Sequence, residues 1–380
     1  MDVNTPNITS RRAYRRTDDY TVGTPKIKQV AETLPLPLQA TEVLVKVHAV
    51  ALNYRDANTA HGGNPWPVTP HGIICNDAAG EVVATGQQVK TLRIGDRVAP
   101  NIDTANLTGR ESSRSWLAAD EDGVLADYLV YDEKVLGRLP GHLSWVEAST
   151  VPCAGVTAWS ALKGAETGQS VLIQGGFIRQ ISIETDIVRT LGLPLKSYIT
   201  GTGGVSMFAL KLAQAKGLRI ILTSSSDEKL KQISEKFTRD GTSRMDLVNY
   251  SQNPDWHDEV LQHTDGEGVD IVVENGGPGT LLKSMKCTRR GGIVSQVGYL
   301  DRKRFDDAPE VLPLLIDRRI VLRGINAGSK SDLDDLCRAL TATRIRLDDI
   351  IDSVWSFDQA EEALQYLWEG RQIGKLVIEI

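Results

Sequence analysis

Two stretches of this 380-residue chain have residue types and spacings that suit binding chemistry. The first is Gly201-Thr-Gly-Gly-Val-Ser206, followed by the apolar, helix-prone Met207-Phe-Ala-Leu-Lys-Leu-Ala-Gln-Ala215. Glycines at 201, 203 and 204 permit a sharp turn and let backbone approach a pyrophosphate with no side chain between. A helix that opens there aims free N–H groups and its positive dipole end at that anion. The second is Thr223-Ser-Ser-Ser226, with Asp227, Glu228 and Lys229 just beyond. An acid at the end of a second strand would bind a ribose diol, whereas hydroxyls plus a lysine suit a 2′-phosphate that an acid would repel. Ser226 also fits as the N-cap of a helix opening at Asp227.

These residues need a parallel sheet to position them. Arg219-Ile-Ile-Leu-Thr223, Val269-Asp-Ile-Val-Val-Glu274 and Gly292-Ile-Val-Ser-Gln-Val297 read as buried strands, and Ser170-Val-Leu-Ile-Gln174 as the strand that should run into the glycines. From 151 to about 327 strands alternate with helical segments, the signature of a doubly wound α/β sheet. Before it, from 10 to 150, short alternating strands such as Glu42-Val-Leu-Val-Lys-Val-His48 predict an antiparallel barrel-like domain. Residues 101–123 read as a polar surface loop. Ser144 with Glu147 predicts a capping box at the change to helix. Residues 328–380 supply two amphipathic helices and a last strand, Lys375-Leu-Val-Ile-Glu-Ile380.

Composition narrows the function classes. The apolar fraction is 41%, the charged fraction 24% and the net charge −6, which offers no nucleic-acid surface. No apolar run reaches the roughly 18 residues of a membrane span. Cys75, Cys153, Cys287 and Cys337 are widely spaced, which argues against a disulfide scaffold or a structural zinc lobe and suits a reducing, cytoplasmic setting. Arg11, Arg12, Arg15 and Arg16 are read as part of a charged first strand rather than a targeting signal.

The order of several motifs resembles the medium-chain dehydrogenase/reductase superfamily, in its zinc-independent quinone reductase and enoyl reductase branch. They are Leu52-Asn-Tyr-Arg-Asp56, Asp77-Ala-Ala-Gly-Glu-Val82, Gly95-Asp-Arg-Val98, Val151-Pro-Cys-Ala-Gly-Val-Thr-Ala-Trp159, Glu274-Asn-Gly-Gly-Pro-Gly279 and Gly374-Lys-Leu-Val377. The resemblance implies a GroES-like antiparallel β-barrel catalytic domain (1–150), a Rossmann domain (151–327) and a C-terminal return to the catalytic domain (328–380). It implies an oxidoreductase acting on a small-molecule substrate, with homodimers allowed.

Zinc members of that superfamily hold the metal with Cys, His and Cys. Here Asn53 and Asn76 stand at the first two places and Cys153 at the third, and amides are poor zinc ligands. No metal is therefore expected. Without a Lewis acid, hydride transfer favours an already polarised acceptor, such as an enone, an enal or a quinone. The resemblance makes Asp56 a proton donor and lets Asn53 and Tyr54 touch substrate or nicotinamide; the competing reading pairs Arg55 with Asp56 structurally. NADPH is expected over NADH, held by Gly201, Thr202, Gly203, Gly204, Val205, Ser224, Ser225 and Lys229. By resemblance, Thr157, Tyr250, Asn275, Gly276, Gly298, Tyr299, Gly328 and Ser329 join them. Two other readings stay open: a zinc-less alcohol or carbonyl dehydrogenase, and a non-catalytic member of the fold.

The last reading has a concrete cause. In the resembled family the first strand runs straight into the glycine turn, but here residues 176–201 intervene. Removing them restores Val171-Leu-Ile-Gln-Gly175 followed by Thr202-Gly-Gly-Val-Ser206. The segment has the length and permitted codons of a retained intron translated in frame. Val171-Leu-Ile-Gln174 is expected to keep its place in the sheet, with Ser197-Tyr-Ile-Thr200 as the rival for that place. The interruption should crowd the pyrophosphate site, and its Ile181 to Leu191 stretch predicts a short helix.

Overall fold

The computed structural model describes residues 8–17, 25–64, 66–175, 203–238, 245–298 and 308–380. Residues 176–201, and with them the expected helix from Ile181 to Leu191 and the rival strand, lie outside the described residues. The chain divides into two compact units, one of Met1–Ser160, Ala327–Leu367 and Lys375–Ile380, the other of Ala161–Asn326 and Trp368–Gly374.

In the first unit, β1 (Ser10–Arg16) and β2 (Ile27–Thr33) form an antiparallel ribbon, so the arginine-rich start is a strand. Arg11 and Arg15 there share Glu32, and Arg15 also reaches Asp122. The main sheet uses β3 (Glu42–Ala51), which leads into helix α1 (Tyr54–Ala60), then β4 (Ala78–Thr85), β5 (Arg97–Pro100), β6 (Tyr128–Asp132) and β7 (Leu136–Arg138). Helices α2 (Trp145–Ser149) and α3 (Val156–Ala161) follow. The predicted capping box at Ser144 and Glu147 heads α2.

Strands β14 (Ile351–Ser356) and β15 (Lys375–Glu379) complete an order β14-β15-β3-β4-β5-β7, with β6 also on β3. The expected barrel is corrected to an open sheet, because among the described residues the end strands β14 and β7 each pair on one side and not with each other. The long β3 holds it together: its first half pairs with β6 and its last residues with β15. Residues 101–123 are irregular and reach the surface as expected, with 108–114 exposed, but Asn101, Ile102 and Leu117 are buried, and Asn101 Nδ2 donates to the carbonyls of Asp103 and Asn106.

The second unit is a parallel sheet. Its strands are β8 (Ser170–Gln174), β9 (Arg219–Ser224), β10 (Met245–Asn249), β11 (Val269–Glu274), β12 (Thr288–Gln296) and β13 (Val321–Gly324), in the order β10-β9-β8-β11-β12-β13. Helix α4 (Gly204–Ala215) follows the glycine turn, and α5 (Asp227–Phe237), α6 (Trp256–His263), α7 (Leu281–Lys286) and α8 (Ala308–Arg318) follow successive strands. β8 sits between β9 and β11, so the first strand keeps its central place as expected. Its Val171, Leu172 and Ile173 are fully buried, as a strand covered on both faces requires. Helix α4 is anchored by Phe208, also fully buried. Phe208→Ala should cost about 3–5 kcal/mol of stability, read as a lower urea midpoint at unchanged slope.

Candidate active site and cofactor cradle

The chain order reverses between β8 and β11, and ligands of open α/β sheets bind at the carboxyl ends of strands at that point. There, Ser206 Oγ donates to Gln174 O at 2.8 Å, and Asn275 Nδ2 donates to the same carbonyl at 3.0 Å and to Ser206 Oγ at 3.2 Å. Strand end and helix start are thus joined by direct hydrogen bonds. Gly203 is the N-cap of α4 and offers no side chain to its first turn, so among the described residues the N–H groups of Gly204, Val205 and Ser206 have no capping partner. A β-carbon on Gly203 would meet nothing within 4 Å. That combination suits a diphosphate. Gly201, Thr202 and Tyr299 lie outside the described residues.

Several other predicted cofactor residues gather at the same edge. Ser224 ends β9 fully buried, and the N–H of Tyr250 donates to its carbonyl at 3.1 Å. Ser226 caps α5 as expected, its Oγ accepting from Lys229 N at 3.3 Å. Ser225 Oγ is a buried hydroxyl with no hydrogen-bond partner among the described residues. Asp227 turns its carboxylate to Asn249 Nδ2, at 2.7 Å, and to Gln252. Lys229 Nζ reaches the carbonyl of Gln372 at 3.3 Å, and Gly374, two residues on, bridges Gly203. The segment Trp368–Gly374 therefore borders the glycine turn, a contact no sequence pattern announced.

Gly276 and Gly298 are glycines for packing reasons: a β-carbon at Gly276 would lie 2.2 Å from Thr280 Oγ1, and at Gly298 2.8 Å from Asn275 O. Beneath them Glu274 is a buried carboxylate that accepts from Gly276 N, Gly277 N, Thr280 and Gln174. Burial raises its pKa against those donors. Thr157, Gly328 and Ser329 belong to the first unit. Thr157 is buried on α3, and Gly328 packs against Val156 and Ser160 of that region. Ser329 caps α9 (Lys330–Thr343), its Oγ bonded to Asp332.

The second cluster is entirely within the first unit. Asn53 is the N-cap of α1, and Asp56 Oδ2 accepts from Asn53 N at 2.7 Å. Asp56 is 1% exposed, and its Oδ1 has no partner among the described residues. Burial pushes its carboxyl up to about 6, against the pull of Arg55, Asn53 N and Lys375. The alternative ion pair of Arg55 with Asp56 is absent among the described residues. Arg55 instead donates to Leu117 O at 2.5 Å and lies over the Trp116 ring. Tyr54 occupies the first turn of α1, half-buried.

Asn53 is held on every side. Its Oδ1 accepts from Lys375 Nζ at 2.8 Å, and its Nδ2 donates to Asn76 Oδ1 at 3.0 Å and Asp77 Oδ2 at 3.2 Å. Lys375 and Asp77, 2% and 0% exposed, form an ion pair at 3.1 Å, and Asp77 Oδ1 accepts from Cys153 N at 2.8 Å. Burial raises the Asp77 pKa and lifts the Cys153 thiol to about 12, so that thiol stays protonated. A zinc ion set among Asn53, Asn76 and Cys153 would meet an ammonium already bonded to its first ligand atom. It would also meet two amides bonded to each other and a neutral thiol, a donor set that does not fit the metal.

The sequence pattern of the zinc-binding dehydrogenase family matches residues 204–370, and that of the alcohol dehydrogenase GroES-like domain matches residues 39–141. A zinc-type alcohol dehydrogenase-like protein of Schizosaccharomyces pombe is 32% identical over 95% of this chain and 97% of its own length. A low-reducing polyketide synthase of Aspergillus calidoustus is 27% identical over 90% of this chain, a match covering 12% of the synthase. The crystal structure of a candidate alcohol dehydrogenase from Sinorhizobium meliloti 1021 superposes with a TM-score of 0.79 at 29% identity, over 98% of this chain and 99% of that one. The fold and these relatives define an NAD(P)H-dependent oxidoreductase. The chain belongs to the medium-chain dehydrogenase/reductase superfamily.

Proposed function

We propose that this protein transfers hydride from NADPH to an activated C=C bond, in an enone or enal, or to a quinone, without zinc. The observation that carries the reading is the buried cluster in which Lys375 Nζ bonds Asn53 Oδ1 where a metal would need a free ligand. Bound NADPH would supply the hydride. The first-turn N–H groups of α4 would hold its diphosphate, and Ser225 Oγ and Lys229 its 2′-phosphate. Asp227, the acid that would repel that phosphate, is engaged with Asn249 and Gln252, which supports NADPH over NADH. In the first unit Asp56, with a pKa near 6 and a bare Oδ1, can hold a proton at near-neutral pH and release it to a carbanion. The likeness to a segment of a low-reducing polyketide synthase supports the same reading.

A panel of cyclohexenone, cinnamaldehyde, a benzoquinone and simple alcohols, followed by NADPH absorbance, tests it. Turnover of the first three and none of the alcohols is expected; oxidation of alcohols alone would refute it. The KM for NADPH should lie below that for NADH. Ser225→Asp should raise the NADPH value at least about tenfold through like-charge repulsion. Equal constants for the two cofactors in the unmodified chain would sink the NADPH assignment.

A further inference from the structure

Asn53, read from the sequence as a substrate contact, has no donor to spare: both of its amide hydrogens already have protein acceptors. The next residue in that hydrogen-bond chain is different. Asn76 is 2% exposed, its Oδ1 is occupied by Asn53, and its Nδ2 has no acceptor among the described residues. An amide's orientation is set by the network around it. Here the network is directional. The Lys375 ammonium can only donate, so it fixes Asn53 with Oδ1 inward. Asn53 Nδ2 must then donate, which fixes Asn76 with Oδ1 toward Asn53 and Nδ2 away from it.

The backbone holds the same aim. Cys75, directly before Asn76, is fully buried with φ +69, a conformation L side chains rarely adopt. Its carbonyl accepts from Val124 N at 2.9 Å, and a β-carbon on Gly123 would come within 2.2 Å of that oxygen. The left-handed residue is thus locked by the close approach of Gly123 from a neighbouring segment, and such locked strain clusters at functional positions.

We infer that Asn76 is the residue whose Nδ2 donates to the substrate oxygen, with Lys375 acting through Asn53 as the positioning residue. The inference rests on the reductase reading above. Hydride addition to the β-carbon moves the π electron pair onto the carbonyl oxygen, and that oxygen then needs a donor that was aimed before the reaction. A chain of hydrogen bonds that starts at an ammonium is polarised toward its far end, which strengthens the last N–H. Lys375, two hydrogen bonds away and ion-paired with Asp77, acts by orienting that donor through Asn53.

The test uses the full chain with cyclohexenone at saturating NADPH. Wild-type turnover is the control: its absence sinks the reductase reading and this inference with it. Given turnover, Asn76→Ala should lower kcat about 100-fold. Asn76→Asp, which keeps the acceptor for Asn53 but presents a carboxylate to the substrate, should lower it further. The KM for NADPH should stay near wild type in both variants, a split between kcat and KM that a purely structural role does not produce. Removing Lys375 alone would strand the Asp77 charge, so the double change Lys375→Met with Asp77→Asn keeps the site neutral. It should lose kcat by a smaller factor, on the order of 10-fold, and Lys375→Arg should retain most of it. If Asn76→Ala and Asn76→Asp both keep kcat within a factor of about three, Asn76 makes no such bond and the inference falls.

Discussion

Asp56→Asn is expected to lower kcat for enone reduction about 100-fold while making the protein more stable above neutral pH. The catalytic half follows from Asp56 Oδ1, which is buried, has no partner among the described residues and is able to carry a proton up to about pH 6. Wild-type kcat should therefore fall as pH rises through about 6, and the Asn variant should lose that limb.

The stability half has a definite sign. The carboxyl rises from 3.8 to about 6 on folding, so the folded state binds the proton more tightly than the unfolded chain. Its stabilising contribution is complete below the unfolded value and is lost as pH rises through the folded one. Above that, an ionised buried carboxylate costs about 3 kcal/mol, which asparagine avoids while still accepting from Asn53 N. Urea unfolding at a series of pH values checks this. The variant's advantage should be largest near pH 8 and shrink toward zero by about pH 4. A constant difference across that range would mean that Asp56 does not titrate in this window.

The second large effect concerns residues 176–201. A chain lacking them should bind NADPH in the low micromolar range, at least about tenfold tighter than the full chain, and melt higher. The two ends that they separate already touch: Ser206 Oγ bonds Gln174 O, and Asn275 Nδ2 bonds both. The junction is therefore complete from described residues, with β8 central in its sheet. Holding the ends of so long a connection together costs about 3 kcal/mol of closure entropy, most of which the deletion removes. Fluorescence titration with NADPH and thermal unfolding of both chains decide the matter. If the full chain binds as tightly and the deletion weakens it, these residues serve the site. A cDNA lacking the corresponding nucleotides would settle their origin independently.

The parallel sheet was legible because its signals are local: buried apolar runs, a glycine turn and helix caps at Ser144 and Ser226 lie within a few residues of each other. The candidate site was legible only where a motif is contiguous. Asn53 and Asp56 share one helical turn, so their proximity follows from spacing. Lys375 joins Asp77 across 298 positions, and nothing local to either residue announces that contact. Both stood in quoted motifs, but their pairing, and the freeing of Asn76 Nδ2 that follows from it, exists only in the fold. The barrel expectation failed for a related reason: alternation predicts strands but not whether the end strands meet. Residues 101–123 were legible as a surface loop, but not its buried anchor, because asparagine usually marks solvent whereas Asn101 satisfies carbonyls inside the unit.

The central claim is hydride transfer to a polarised acceptor without a metal. It is tested most directly by measuring zinc content and NADPH-dependent cyclohexenone reduction on the same preparation, before and after dialysis against a strong chelator. The measurement should be made on the full chain and on the chain lacking 176–201. Zinc far below one per chain and an unchanged rate after chelation are predicted, because Lys375 and two paired amides stand where the ligands would be. Stoichiometric zinc, lost together with activity on chelation and restored with it on adding zinc back, would contradict the account.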